Sequence, residues 1–365
     1  MQEPPIPLEP LYALDEAVLE QRITRAKEQL GESCVILGHH YQREEVYRFA
    51  DLTGDSLKLA RLASQRPKAR YIVFCGVHFM AEVADILSGP EQIAILPDPA
   101  AGCSMADMAN LPDVAATWRE MGKVVAVEKL VTPITYVNST ADLKAFCGDH
   151  GGTVCTSSNA QKILQWAFAQ REKVLFFPDQ HLGRISAWKL GIPLEQIVVW
   201  NPDAGPLGGL TETALRQAKV ILWHGFCSVH QMFMPAHVEM FRQRTPGIQV
   251  IVHPECAFEV CRLADHLGST EQIQAVVRAA PAGSEWAIGT ELNLVNRLKN
   301  EMPDKGIHFL CPTICMCSTM FRIDPQHLCW TLENLLAGHV VNPVTVPTRE
   351  AAAARVALNR MLAVV

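Results

Sequence analysis

Cys34-Val-Ile-Leu-Gly-His-His-Tyr-Gln42 is four apolar residues, a glycine, three polar rings and a glutamine. A short continuous apolar run bounded this way reads as a strand buried on both faces. The polar residues then fall at its carboxyl end. The same script returns 214 residues later, where Val250-Ile-Val252 leads into His253-Pro-Glu255. Glu259-Val260 and Ala264-Asp265 answer Glu45-Val46 and Ala50-Asp51 at that offset, and Gly268-Ser-Thr270 answers Gly54-Asp-Ser56. Both copies end in Cys-Ser: 64 residues separate His39 from Cys103 and His253 from Cys317. A weaker copy runs from Tyr136-Val-Asn138 to Cys227-Ser228, a separation of 91, which implies an insertion of 27 residues.

The strands Tyr71–Cys75 and Ile93–Leu96 complete the first copy, and Trp286–Gly289 and Ile307–Leu310 the third. In the middle copy the opening strand is either Val124–Val127 or the run into Ile134-Thr135, followed by Val174–Phe177 and Val220–Trp223. Val18, Leu19, Ile23, Ala26 and Leu30 recur at helical spacing between Asp15 and Gly31. Strands alternating with helices predict an α/β fold with parallel sheets covered on both faces. The expected organisation is an N-terminal arm over 1–14, α/β repeats over 15–122, 123–248 (with an insertion near 193–220) and 249–346, and a C-terminal helix over 347–365. In such sheets ligands bind beyond the carboxyl ends of the strands, where every polar motif above falls.

Of 365 residues 49% are hydrophobic and 19% charged, so a large core is within reach. The net charge of −6, with no basic stripe carrying aromatics, argues against nucleic acid and anionic membrane surfaces. No apolar run reaches a membrane span, and Met1-Gln-Glu-Pro-Pro5 has no signal-peptide pattern. The expectation is a cytosolic protein. Twelve cysteines in such a chain point to metal or chemistry rather than to disulfides.

The repeat picks out Cys103, Cys227 and Cys317. Three thiolates on a four-iron cluster would leave one iron open to act as a Lewis acid. Cys256 competes with Cys227 on local motif but breaks the repeat register. Cys311-Pro-Thr-Ile-Cys-Met-Cys317 matches no standard zinc pair. Cys34, Cys75, Cys147, Cys155, Cys261 and Cys329 read as core. His39 and Tyr41, Tyr136 and Asn138, and His253 and Glu255 are i, i+2 pairs after strands, so each pair can face one side. Together they offer acid, base and donor groups. Ser56, Ser157, Ser269 and Thr270 sit at expected helix starts, as N-caps or as anion sites. A hydro-lyase on another small acid and a non-catalytic iron–sulfur redox sensor remain open on this pattern alone.

These motifs in order resemble the quinolinate synthase (quinolinate synthetase A) family of NAD biosynthesis. The resemblance is carried by Gly38-His-His-Tyr-Gln42, Ala50-Asp-Leu-Thr-Gly-Asp-Ser56, Gly76-Val-His-Phe-Met-Ala-Glu82, Tyr136-Val-Asn-Ser-Thr140, Cys155-Thr-Ser-Ser-Asn-Ala160, Gly225-Phe-Cys-Ser-Val-His230, His253-Pro-Glu-Cys256 and Gly268-Ser-Thr270, within residues 15 to 345. It implies three pseudo-threefold-related α/β/α domains around a [4Fe-4S] cluster held by Cys103, Cys227 and Cys317. It implies condensation of iminoaspartate with dihydroxyacetone phosphate to quinolinate, with loss of phosphate and two waters. An L-aspartate oxidase or dehydrogenase would supply the iminoaspartate. Tyr41, Tyr136, His253 and Glu255 are expected to transfer protons. His39, Ser56, Tyr136, Asn138, Ser157, His230, His253, Glu255, Ser269 and Thr270 are expected to bind substrate. The segment from about Pro193 to Val220 departs from shorter members, as do Cys311 and Cys315, which form either a redox-sensitive dithiol or a metal-free structural pair.

Overall fold

The structure is a computed structural model that describes residues 4–313 and 316–364. Cys315 and the first three residues of the expected arm lie outside the described residues. The chain divides into two compact units, Met1–Cys103 with Met316–Val346, and Ser104–Cys315 with Pro347–Val365.

In chain order the strands are β1 Cys34–His39, β2 Leu52–Gly54, β3 Tyr71–Cys75, β4 Ile93–Ile95, β5 Val131–Tyr136, β6 Thr153–Cys155, β7 Lys173–Phe177, β8 Ile197–Trp200, β9 Val220–Trp223, β10 Gln249–Val252, β11 His266–Leu267, β12 Glu285–Gly289, β13 Gly306–Phe309 and β14 Pro343–Val344. They form three sheets of order β14-β4-β3-β1-β2, β6-β5-β7-β9-β8 and β11-β10-β12-β13. Every pairing is parallel except β14 with β4. The first strand of each sheet in chain order lies between the second and the third, and the strand that leads toward the cysteine loop lies beyond the third. The sequence repeat therefore appears as a repeated strand order.

Of the two candidate strands that open the middle copy, the run into Ile134-Thr135 is the strand. Val127–Leu130 is a helical turn instead. The strands β2, β6, β8, β11 and β14 escape the sequence reading because two to four residues beside turns carry too little periodicity. Within the insertion, β8 pairs outside β9, so the extra residues lengthen an edge and leave the common order intact. Gly208 in this segment adopts φ +60 against the Trp200 ring, where a Cβ would come within 2.6 Å.

The helix Glu16–Leu30 buries Leu19, Ile23, Ala26 and Leu30. Val18 is exposed and is no part of that face. The helix packs on Pro325–Leu336, with Arg22 bridging to Glu333 at 2.6 Å. The C-terminal helix Thr348–Val364 packs on Ala141–Asp149 and β6. Gly148 makes this close approach possible, since a Cβ there would stand 2.1 Å from the Ala353 carbonyl. Thr153 Oγ1 donates to Ala357 O at 3.0 Å, and Arg360 donates to the Gly148 and Gly152 carbonyls. Among the described residues no helix is long and apolar enough to cross a membrane.

Candidate active site

In the first unit, His39 ends β1 and is buried, and its Nδ1 accepts the Tyr41 N–H at 3.1 Å. Their rings meet edge to face at 5.0 Å, so the i, i+2 pair does face one side. Ser56 is the first residue of the helix Ser56–Ser64, but the N-terminal cap is Asp55, whose Oδ1 accepts from Lys58 N. Asp98 accepts a hydrogen bond from Arg322 Nε at 2.8 Å. That ion pair ties the chain five residues before Cys103 to the chain five residues after Cys317.

The second unit concentrates the acid–base groups. Tyr136 ends β5, His253 follows β10, and His230 lies in the helical turn Ser228–Gln231 just after Cys227. Each is at least 96% buried, as is Glu255. Glu255 Oε2 stands 2.8 Å from His230 Nδ1 and 3.7 Å from His253 Nδ1. The two imidazoles stack at 4.6 Å, and the Tyr136 hydroxyl donates to the Glu255 carboxylate. Burial raises a carboxyl pKa. Here the charges that His253 and His230 carry when protonated, together with hydrogen bonds from His230 and Tyr136, outweigh burial and hold Glu255 down to about 2. Burial pushes His253 down to about 3, against the opposing pull of Glu255. At pH 7 the set therefore pairs an anionic carboxylate with a neutral His253 ring.

Two groups next to this set were absent from the sequence-based site. Thr290 Oγ1 lies 3.4 Å from His230 Nε2, after β12. Asp179 is fully buried after β7, and burial followed by the Glu255 charge pushes its carboxyl well above the ordinary range. Like-charge pairs in one buried site split in this way. Their position beyond strand ends, in the same loops as the recognised motifs, is the signal that could have found them.

Asn138 is half-buried beyond β5. Ser157 does not start a helix, because the helix it precedes is Ala160–Gln170. It lines a cavity of about 150 Å³ together with Ser158, Lys189, Pro254, Gly268 and Gln272. Ser269 caps the helix Thr270–Ala279 in a reciprocal capping box with Gln272, and Thr270 opens that helix, buried. Larger clefts of 740 and 370 Å³ open at the amino ends of strands, away from these loops.

The three repeat cysteines share one local setting. Cys103 directly precedes the helical turn Ser104–Asp107, and Cys227 caps Ser228–Gln231. Cys317 precedes a turn at Ser318 in which its carbonyl accepts from Phe321 N at 3.0 Å. All three are half-buried. Cys256 is fully buried, and its thiol donates to the Gly289 carbonyl at 3.5 Å. Burial raises its pKa well above that of a free thiol. Cys75, Cys147, Cys155, Cys261 and Cys329 are buried as core residues, whereas Cys34 is half-buried at the start of β1. Cys227, His230 and Glu255 bring a thiol, an imidazole and a carboxylate within 4.8 Å of one another. Cys311 is buried beside Thr313 Oγ1 at 3.1 Å.

The family model described as "Quinolinate synthetase A protein" matches residues 21–363. A quinolinate synthase of Rhodopirellula baltica is 53% identical over 368 residues, covering 98% of this chain and 94% of that protein. A quinolinate synthase of Streptomyces coelicolor is 58% identical, covering 94% of this chain and 88% of its own. One of Herpetosiphon aurantiacus is 56% identical, covering 94% and 92%.

Proposed function

This chain belongs to the quinolinate synthetase A family, and we propose that Tyr136, His230, His253 and Glu255 are the acid–base core of its site. The chain is an enzyme of NAD biosynthesis that forms quinolinate. The substrates implied are iminoaspartate and dihydroxyacetone phosphate. Their sum equals quinolinate, phosphate and two waters with no electron gained or lost. The chemistry needed is therefore carbon–carbon and carbon–nitrogen bond formation with proton transfers and eliminations. An enzyme supplying iminoaspartate, an L-aspartate oxidase or dehydrogenase, is the expected upstream partner.

The carrying observation is the Glu255 carboxylate, desolvated yet anionic, with Tyr136 and His230 as hydrogen-bond partners. A carboxylate in that state holds the positive charge that develops on the facing imidazoles as one of them takes a proton from carbon or hydroxyl, while Tyr136 offers a proton to a leaving oxygen. In the first unit, Tyr41 is assigned as a further proton donor, positioned by its backbone bond to His39. Ser56, Asn138, Ser157, Ser269 and Thr270 are assigned to the carboxylates and the triose phosphate. The helix start at Thr270, with Ser269 as its cap, supports an anion site there.

The donor set fits an iron–sulfur cluster. Cys103, Cys227 and Cys317 are half-buried thiols beside helical or turn N–H groups that favour thiolates. Cys256 is a fully buried thiol already committed to a carbonyl. We assign the first three as the ligands of a [4Fe-4S] cluster. When bound, a cluster with one iron unligated by protein supplies a Lewis acid for loss of water. We also assign β1–β4, β5–β9 and β10–β13 to three α/β repeats bounded near residues 122, 248 and 346, with β14 adding to the first sheet from the end of the third repeat.

The test is quinolinate formation from iminoaspartate and dihydroxyacetone phosphate by anaerobically purified protein. Cys227→Ser is expected to lose iron, visible absorbance and activity, and Cys256→Ser to keep all three. Absence of product from the native protein, or the reverse pattern in the variants, refutes the assignment.

A further inference from the structure

Lys144 is a lysine with no exposed surface, in the helix Ala141–Asp149 on which the helix Thr348–Val364 packs. Helical side chains lean toward the N-terminus of their own helix. That of Lys144, near the helix start, reaches back beyond it, and its Nζ donates to the Ser139 carbonyl. Ser139 is equally enclosed. Its N–H donates to Val137 O at 2.9 Å, and its hydroxyl donates to Tyr136 O at 2.8 Å. Thr135, also wholly buried and within β5, places its Oγ1 2.8 Å from Ser139 Oγ and 3.2 Å from Tyr136 O. Val137 N donates to the Cys155 carbonyl at the end of β6, at 2.8 Å. The turn Tyr136–Ser139, which carries the Tyr136 and Asn138 side chains, therefore rests on a chain of polar groups inside the core.

We propose that Lys144 is a positioning residue: its buried ammonium fixes the Ser139 carbonyl and, through the Ser139 and Thr135 hydroxyls, sets the Tyr136 backbone from which the phenol projects. The inference rests on the assignment of Tyr136 to the acid–base core. Two costs separate Lys144 from a residue that only fills space. Taking an ammonium out of water is expensive. The positive end of the helix dipole also lies beside the first turn, where a cation is disfavoured. Well-packed apolar side chains often replace buried charges with no loss of stability. What an apolar side chain could not supply is a donor for the Ser139 carbonyl, which lies ahead of the helix cap Thr140. A buried carbonyl needs such a partner, and this one closes the turn that presents Tyr136. A misplacement of about 1 Å at a reacting group can cost on the order of 10²-fold in rate.

The experiment compares Lys144→Met, Thr135→Val, Thr135→Ser and Tyr136→Phe in the full chain, loaded with iron and sulfide under anaerobic conditions. The readouts are iron content, thermal unfolding, and kcat and KM for quinolinate formation from iminoaspartate and dihydroxyacetone phosphate. Lys144→Met keeps the length of the side chain and loses the donor. It is expected to fold and keep its iron, with kcat about 10–100-fold lower and KM within about threefold of native. Thr135→Val keeps the shape of the residue and removes the hydroxyl, and is expected to lower kcat about tenfold in the same manner. Thr135→Ser restores the hydroxyl and is expected to stay within about threefold of native kcat. The Thr135 pair decides the matter if Lys144→Met does not fold. Native kcat in both Lys144→Met and Thr135→Val overturns the inference while Tyr136→Phe is still impaired. Equal losses in Thr135→Val and Thr135→Ser overturn it too, since the hydroxyl is then irrelevant. Native kcat in Tyr136→Phe overturns the acid–base assignment instead.

Discussion

Glu255→Gln preserves the shape of a buried side chain and removes its charge. In the native chain the carboxyl pKa is about 2, against an ordinary 4.5. At about 1.4 kcal/mol per unit, that shift stabilises the folded state by on the order of 3 kcal/mol at pH 7. The sign follows from a depressed carboxyl: the contribution is complete above pH 4.5 and disappears as pH falls through 2. At pH 3 less than half of it should survive. Glutamine carries no such term, and its amide presents N–H groups where the carboxylate accepts from His230 and Tyr136. With a urea slope of roughly 1–3 kcal/mol per M, the midpoint of Glu255→Gln should fall about 1–3 M below native at pH 7. The gap should narrow to less than half at pH 3. Quinolinate formation should fall about 10²–10⁴-fold, as for loss of a general acid–base group. Equal midpoints at pH 7, or a gap that does not shrink with acid, would refute the reasoning that this carboxylate is held anionic by its neighbours.

His253 predicts a second acid transition of different origin. Its pKa is depressed to about 3, so below pH 6.5 the unfolded chain takes up the proton first. Native stability should decline by on the order of 4–5 kcal/mol between pH 6.5 and 3. His253→Asn should flatten that window in urea titrations. Gly148→Ala places a methyl 2.1 Å from the Ala353 carbonyl. It should cost about 1–3 kcal/mol or more and make the helix Thr348–Val364 the first segment released by limited proteolysis. Arg22→Met breaks an ion pair with Glu333 that is partly open to solvent. It should change stability by no more than about 1 kcal/mol, and less in high salt.

The repeat explains why much of the candidate site could be read in advance. A parallel strand is an apolar run, and the loop after its carboxyl end is where polar side chains can converge, so β1, β5 and β10 announced His39, Tyr136 and His253 by pattern alone. Ser157 was misplaced onto a helix start because a serine before an apolar run resembles a cap wherever the helix begins. Thr290 and Asp179 were passed over because one polar residue after a strand carries no mark of what it faces. The preference for Cys227 over Cys256 came from register. The structure adds a physical reason, since Cys256 is enclosed and its thiol bonded to a carbonyl.

By itself the sequence determined which segments become the longer strands and helices, because periodicity and apolar runs are local properties. It also determined the threefold script, because equal spacings survive in one dimension. Only the tertiary structure decided that β8 adds to the edge beyond β9, and that the last helix returns to pack on Gly148. It alone brought Glu255 against two stacked imidazoles and within the electrostatic reach of Asp179. Edge pairing and helix docking depend on surfaces that no single segment contains. Protonation depends on burial and on neighbours brought together from separate loops. Glu255 and His253 in an open chain would titrate near their ordinary values.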